Sequence, residues 1–504
     1  MSIAVNVFPT IRIACGRLRT MLATARSVTV ARPPARYRSW IVVAVCGFVH
    51  MYTCAQSSNA ATQFWFAPPD VTDLNHSPGG VPIHLMIAAA DTAAVVTVDQ
   101  PANGSFMPII VNVAAGGAAR IDVSAFQTML ESRPTNAVLN SGLHVTATAP
   151  VTVYYELANT AHAAIWSLKG AEALGQEFYI PLQKFAPFFN ESSYSAPHQA
   201  FASFDIVATL DNTQVTIYAP VALDGHPPMT QFTLTLNRGQ AYSAGFTGPN
   251  WYQPSTHPAG AAVLADKPVA ISLKDDSVHN PFGTCQSLMG DQIVPLTAIG
   301  TDYIATKGLL DNGAHESVGI VATQIGTQIF INGAATPLVT MFAGEFYRYD
   351  MDYLGSGTNH SVYLHASQPI YAMHISGFGC QMASASLPAL NAGSTRVDFV
   401  RSDAQSFQLV LLSPTAAVNG FSIVGPGTAT IPALSFSAVP GTAGAWMAAR
   451  IAYDTTQVPV DAGFHVSNPL GRFALGILAG DGTTAARYAY LSQFTDRIFA
   501  DGFD

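Results

Sequence analysis

Charge is what this chain has least of: only 11% of its 504 residues are Asp, Glu, Lys or Arg. Yet beyond the N-terminal segment no apolar run approaches the roughly 20 residues of a membrane-spanning helix. The 49% hydrophobic content of the chain must therefore be buried within protein, which argues against disorder. Long amphipathic helices are missing. So are the signatures of the common catalytic classes, including G-x-S-x-G, H-E-x-x-H, C-x-x-C, a P-loop and a dinucleotide fingerprint. No catalytic residue, metal ligand or cofactor is assigned. Cysteine is scarce: of five, Cys15, Cys46 and Cys54 fall near the N-terminus, leaving Cys285 and Cys380. An even pair in an exported chain suggests one disulfide; two buried thiols are the alternative.

Export itself is read from residues 1–60. Seven arginines and no acid precede the apolar stretch WIVVAVCGFVHMYTCA from Trp40, and small residues near Ala55 or Ala60 offer a cleavage site. An uncleaved N-terminal anchor is the alternative. Removing the seven arginines leaves 15 basic residues against 31 acidic ones, a balance that excludes nucleic acid as a natural partner.

What the remainder contains is repetition. LHVTATAPVTVYYEL, GAAVLADKPVAISL, SVYLHASQPIYAMHI and AGFHVSNPLGRFALGIL place Pro150, Pro268, Pro369 and Pro469 at intervals of 118, 101 and 100 residues. Each proline is followed by an apolar residue, Val151, Val269, Ile370 or Leu470. Since proline cannot donate a ladder hydrogen bond, each phrase reads as a β-hairpin with proline at the turn or as the first residue of the second strand. A second hairpin is read upstream, in FDIVATLDNTQVTIYA from Phe204 and VGIVATQIGTQIFIN from Val318. The fold class is all-β: four ~100-residue repeats, each of two consecutive four-stranded units. Strands such as IHLMIAAA, SVGIVAT and FQLVLL do not alternate, implying burial on both faces. A propeller-like arrangement is expected on that ground, with tandem β-sandwiches as the alternative.

Several ordered motifs carry a resemblance: TQFWFAPPD from Thr62, FDIVATLDNTQVTI, GAAVLADKPVAIS, CQSLMGDQIVPLTAIGTDYIAT from Cys285, and GFGCQMASASLPALNAGSTRVDF from Gly377. Together these resemble the N-terminal domain of IgGFc-binding proteins, found in animal mucus proteins and in exported bacterial proteins. The resemblance implies that Cys285 and Cys380 are the family's cysteines, their mutual pairing being a hypothesis. Gln286, Ser287 and Leu288 stand where animal members show an acidic-histidine pattern, so immunoglobulin binding is not carried over. The ending DRIFADGFD resembles a terminal tail of exported bacterial proteins. The organisation is then residues 1–60 for targeting, 61–400 for the family-like repeats, 401–494 for a degenerate fourth repeat, and 495–504 for the tail.

The densest polar stretch, KDDSVHNPFGTCQSLMGDQ, offers Asp275, Asp276 and His279 as a cation or ligand site, because hard cations take several oxygens. Its competing reading is a loop pinned by a disulfide. Trp251 and Tyr252, in NWYQPSTHP, are candidate aromatics for a sugar or protein. The expected function is an exported, non-catalytic binding or adhesion protein, secreted or at the cell surface, recognising an extracellular protein or glycan. A secreted polysaccharide-active enzyme on a propeller and a structural surface protein are the alternatives.

Overall fold

A computed structural model of the protein describes residues 60–71, 81–159, 162–188, 200–248, 253–280, 285–311, 313–354, 360–482 and 485–495. Residues 1–59 and 496–504, which hold nearly all of the expected targeting segment and tail, lie outside the described residues. The described residues form one compact unit, and no helix among them is long and apolar enough to cross a membrane.

The first repeat runs through β1 (Ala61–Phe66), β2 (Ile83–Ala89), β3 (Ala94–Asp99), β4 (Ile109–Val113), β5 (Ala118–Asp122), β6 (Val138–Leu139), β7 (Leu143–Ala158) and β8 (Ala163–Leu168). The second comprises β9 (Gly175–Tyr179), β10 (Ala202–Ala208), β11 (Thr213–Ala219), β12 (Thr230–Leu236), β13 (Ala241–Gly245), β14 (Ala262–His279) and β15 (Gln286–Ile293). The third holds β16 (Gly300–Thr306), β17 (Leu309–Leu310), β18 (Ser317–Ala322), β19 (Thr327–Ile331), β20 (Val339–Met341), β21 (Phe346–Asp350), β22 (Ser361–Gly379) and β23 (Gln381–Ser386). The fourth has β24 (Arg396–Val400), β25 (Ser406–Pro414), β26 (Ser422–Val424), β27 (Ser437–Ala438), β28 (Trp446–Tyr453), β29 (Gly463–Ser467), β30 (Ala474–Gly480) and β31 (Ala486–Tyr490).

The expected proline hairpin is corrected by this topology. In the first three repeats the phrase is one strand, β7, β14 or β22, of 16, 18 or 19 residues, with proline in its interior. The strand survives its proline because register slips there: β14 pairs Leu264 with Glu177, then Val269 with Gly175. At such a slip the missing N–H has no ladder bond to make. In the fourth repeat the strand does break at Pro469, and β29 and β30 enter different sheets.

The long strand bends between two flanks. Its first half pairs with β1 and β3 in the first repeat, its second half with β2 and β8. Each of the first three sheets thereby folds over its own core as a nearly closed, barrel-like sandwich, while the fourth repeat is split into two open sheets. The upstream phrase is no hairpin either, since β10 pairs with β13 and β14 whereas β11 pairs with β12 and β14. Strands adjacent in sequence cross between flanks, so the two four-stranded units are interleaved and not consecutive. That arrangement excludes the propeller expectation, whose blades are sequential meanders. Burial of β2, β18 and β25 on both faces is found as expected, but from one face on the repeat's own core and the other on a neighbouring repeat.

The repeats close on themselves. The last strand of each packs on the next, β8 on β15, β15 on β23, β23 on β31 and β31 back on β8. Outside this centre, glycine backbones meet: a Cβ at Gly142 would collide with Gly239, one at Gly260 with Gly344, and one at Gly463 with Gly116. Gly260 also has φ +80°, a left-handed conformation that glycine alone adopts without cost.

Every seam carries buried polar contacts. Lys169 Nζ lies 2.8 Å from Asp291 Oδ1 between the first and second repeats. Between the second and third, the Met382 N–H donates to Ser287 Oγ and the Ser386 N–H to Asp291 Oδ2, both at 3.0 Å. His374 meets the Tyr488 hydroxyl at 3.0 Å between the third and fourth. At the closing seam, Arg487 Nε is 2.6 Å from Glu156 Oε1, and Glu172 accepts from the Phe494 and Thr495 N–H groups at 2.9 and 3.3 Å.

Burial pushes the Glu172 carboxyl up to about 7, against those hydrogen bonds and the nearby Lys169. The folded body thus binds this proton more tightly than the unfolded chain does. The stability so linked is complete below 4.5 and is lost as pH climbs through about 7. Unfolding free energies from urea titrations between about pH 5 and 8 are expected to fall less steeply in Glu172→Gln, by roughly 1–3 kcal/mol over that range. Parallel curves for the two proteins would contradict this.

Candidate binding face

The inner strands share a direction. Ser287 and Asp291 of β15 meet Met382 and Ser386 of β23 in the same order, and Ser167 and Lys169 at the end of β8 meet Asp291 and Gln292. Gly379 approaches Gly482, and further on the Gly393 N–H donates to the Gln493 carbonyl, aligning the third and fourth repeats likewise. The described strand ends that the turns of four hairpins connect, in β7–β8, β14–β15, β22–β23 and β30–β31, consequently lie at one end of the ring. The connecting residues 160–161, 281–284 and 483–484 lie outside the described residues. The chain enters and leaves at the other end: Ala61 lies against Gly170, and Thr495 is bonded to Glu172.

Cys285 and Cys380 are joined by a disulfide between the second and third turns, with Cα atoms 5.7 Å apart. Asn280 reinforces it, its backbone N–H donating to the Cys285 carbonyl and its amide to the Cys380 carbonyl, each at 2.9 Å. This end is therefore braced by a covalent link and two hydrogen bonds.

Asp275, Asp276 and His279 lie on β14 leading into this end, and all three are buried. Asp275 accepts from Ser277 N–H and Oγ at 3.1 and 2.5 Å and from Gln183 Nε2 at 3.0 Å. Burial would raise its carboxyl, but the neighbouring His257 and these hydrogen bonds hold it below the usual carboxylate range. Asp276 is pushed up to about 6 by burial, only partly offset by Lys274 at 2.9 Å, and it accepts the Phe201 N–H at 2.8 Å. Burial also lowers the His279 imidazole. Trp251 and Tyr252 lie outside the described residues. The oxygens of Asp275 and Asp276 are thus committed within the fold: strands, and not an open loop, carry these acids.

Ser277, His257 and Asp275 superficially suggest a nucleophile, base and orienting acid. Both Ser277 Oγ, at 2.8 Å, and Asp275 Oδ1, at 3.5 Å, face the same nitrogen, His257 Nε2, while Nδ1 faces the Gln253 carbonyl. A triad needs its base gripped from opposite ends. This cluster pins a loop instead.

No motif in the sequence pointed to His315, Asp350 and Asp352, whose ligand atoms lie within 4.8 Å of one another. Arg348 Nη2 is 3.0 Å from Asp350 Oδ2, and its guanidinium lies 3.8 Å from the Phe185 ring centroid, so an arginine already supplies positive charge there. The buried Lys169 and Glu172 were equally silent, single residues beside the unremarkable sequence SLKGAEAL.

The family model described as IgGFc binding protein matches residues 163–478, well over half of the chain. No curated protein matches it.

The disulfide closes a 95-residue separation. Replacing both cysteines with serine is expected to cost roughly 4 kcal/mol through the entropy returned to the unfolded chain. Guanidinium unfolding of the two proteins measures this, and coincident curves would remove the disulfide from the stability account.

Proposed function

The chain belongs to the IgGFc-binding protein family, and on that premise we propose that it is an exported, non-catalytic binding or adhesion protein. It works in the extracellular medium or at a cell surface. Its partner is an extracellular protein, as the family implies, or a glycan carried by one.

One observation supports this reading above the rest: the connected ends of four hairpins lie together at one end, opposite the end that holds Ala61 and Thr495. A body tethered through either terminus would present the turns away from its anchor. Loops held by a rigid scaffold are the usual place for recognition. Commitment of the His257, Ser277 and Asp275 polar atoms to one another supports a scaffold role for that cluster over chemistry.

Surface plasmon resonance of the purified protein against immunoglobulin Fc, mucin and immobilised glycans tests this. Saturable binding to one class is expected. Inserting a small folded domain between Asp481 and Ala485 should weaken it by roughly tenfold or more. The same insertion at Gly326, a turn with open space around it, should leave it intact. Equal binding by both insertion variants would contradict the assignment of this end, and self-association without binding to any surface would favour a structural surface protein.

A further inference from the structure

The contacts between β8 and β15 have a chemical consequence of their own. We infer that Lys169 and Asp291 are a modification site, joining through an amide bond between Nζ and Cγ to link the first and second repeats covalently. The two residues are 122 positions apart in sequence, yet they are already within hydrogen-bonding distance.

Four features carry this. The reactants touch in a buried site: Lys169 Nζ is 2.8 Å from Asp291 Oδ1, with side chains 3% and 0% exposed. Such pre-alignment removes most of the entropic barrier to a bimolecular condensation. A relay is in place, because Lys169 Nζ donates to Ser167 Oγ at 3.0 Å and Ser167 Oγ donates to Asp291 Oδ1 at 3.3 Å. The other oxygen, Oδ2, accepts the Ser386 N–H at 3.0 Å, a donor positioned for the negative charge that develops when the carbonyl carbon becomes tetrahedral. Finally, the Phe494 ring lies 4.8 Å from Nζ, and Ser167, Lys169, Glu172 and Tyr490 line a water-sized cavity.

The step balances without a co-reactant. Burial lowers the Lys169 amine, which favours the neutral nucleophile that the step requires, and its first proton passes to Asp291 Oδ1 across the 2.8 Å contact as Nζ adds. Nζ adds to Cγ, and the Cγ–Oδ1 bond breaks. Two of the three original ammonium protons leave on Oδ1 as water, one across the direct contact and one through Ser167. Oδ2 becomes the amide oxygen and keeps its hydrogen bond to Ser386. No oxidant, reductant or nucleotide takes part. Loss of the released water makes the bond persistent, and the central seam becomes insensitive to unfolding of either repeat alone.

Intact mass spectrometry of the full chain, one sample reduced and alkylated and one left unreduced to read the disulfide, tests the inference, followed by proteolysis and peptide sequencing. The folded protein is expected to be lighter by one water, and digestion should yield a branched peptide joining the segments around Lys169 and Asp291. Lys169→Arg keeps the charge but cannot close the bond, and should return the full mass while still forming the Cys285–Cys380 disulfide, which serves as its folding control. Full mass in the wild-type protein, with the two peptides recovered unlinked and that disulfide intact, would overturn the inference. So would a missing water that persists in Lys169→Arg.

Discussion

Four strands that belong to four different sheets have to share one centre, and the rest of the molecule depends on how they do so. β8, β15, β23 and β31 are buried along their whole lengths. Small side chains make this possible, and AAIWSL, QSLMGDQI, QMASAS and ARYAY are rich in Ala, Ser and Gly. Apolar packing alone would make the four seams nearly interchangeable, since the repeats have similar cores. Buried charges remove that degeneracy. Lys169 finds Asp291 and Arg487 finds Glu156 only when the repeats close in sequence order. A seam assembled otherwise leaves a buried charge unpaired, at a cost of about 3–5 kcal/mol. Asp291 is the most connected of these groups: one oxygen faces the first repeat, and the other accepts an N–H from the third.

Much of this was legible in the sequence, and what was missed has a physical cause. The period is visible because Pro150, Pro268, Pro369 and Pro469 mark one structural event four times. Its nature was misread, since a proline between two apolar runs usually terminates a strand, whereas here a register slip absorbs it. The turn LDNT suits a hairpin and a crossing between flanks equally well. Local sequence therefore names the strands and leaves their partners open; pairing of β10 with β13 is decided by the long strand between the flanks. The loss of alternation in β2, β18 and β25 did report burial on both faces.

The polar stretch around Asp275 was harder to place. KDDSVHN has the composition of a solvated loop, and only tertiary partners reveal it as the buried end of β14. Such partners come from distant segments, Gln183 and His257 among them, so no local pattern predicts them. For Lys169 the signal is weaker still. A lone lysine ordinarily belongs at the surface, and its burial becomes intelligible only beside Asp291.

A ring closed through its centre is a different object from four sandwiches on a string, and the difference decides how the hairpin ends are held. Independent domains would let the hairpin turns drift apart; a shared centre holds them as one composite surface, stapled by the Cys285–Cys380 disulfide. Hydrogen exchange of the native protein tests that closure most directly. Amides of β8, β15, β23 and β31 should form one slowly exchanging group that opens in a single cooperative event. Exchange of the four strands in separate steps, each with its own repeat, would contradict the closed ring.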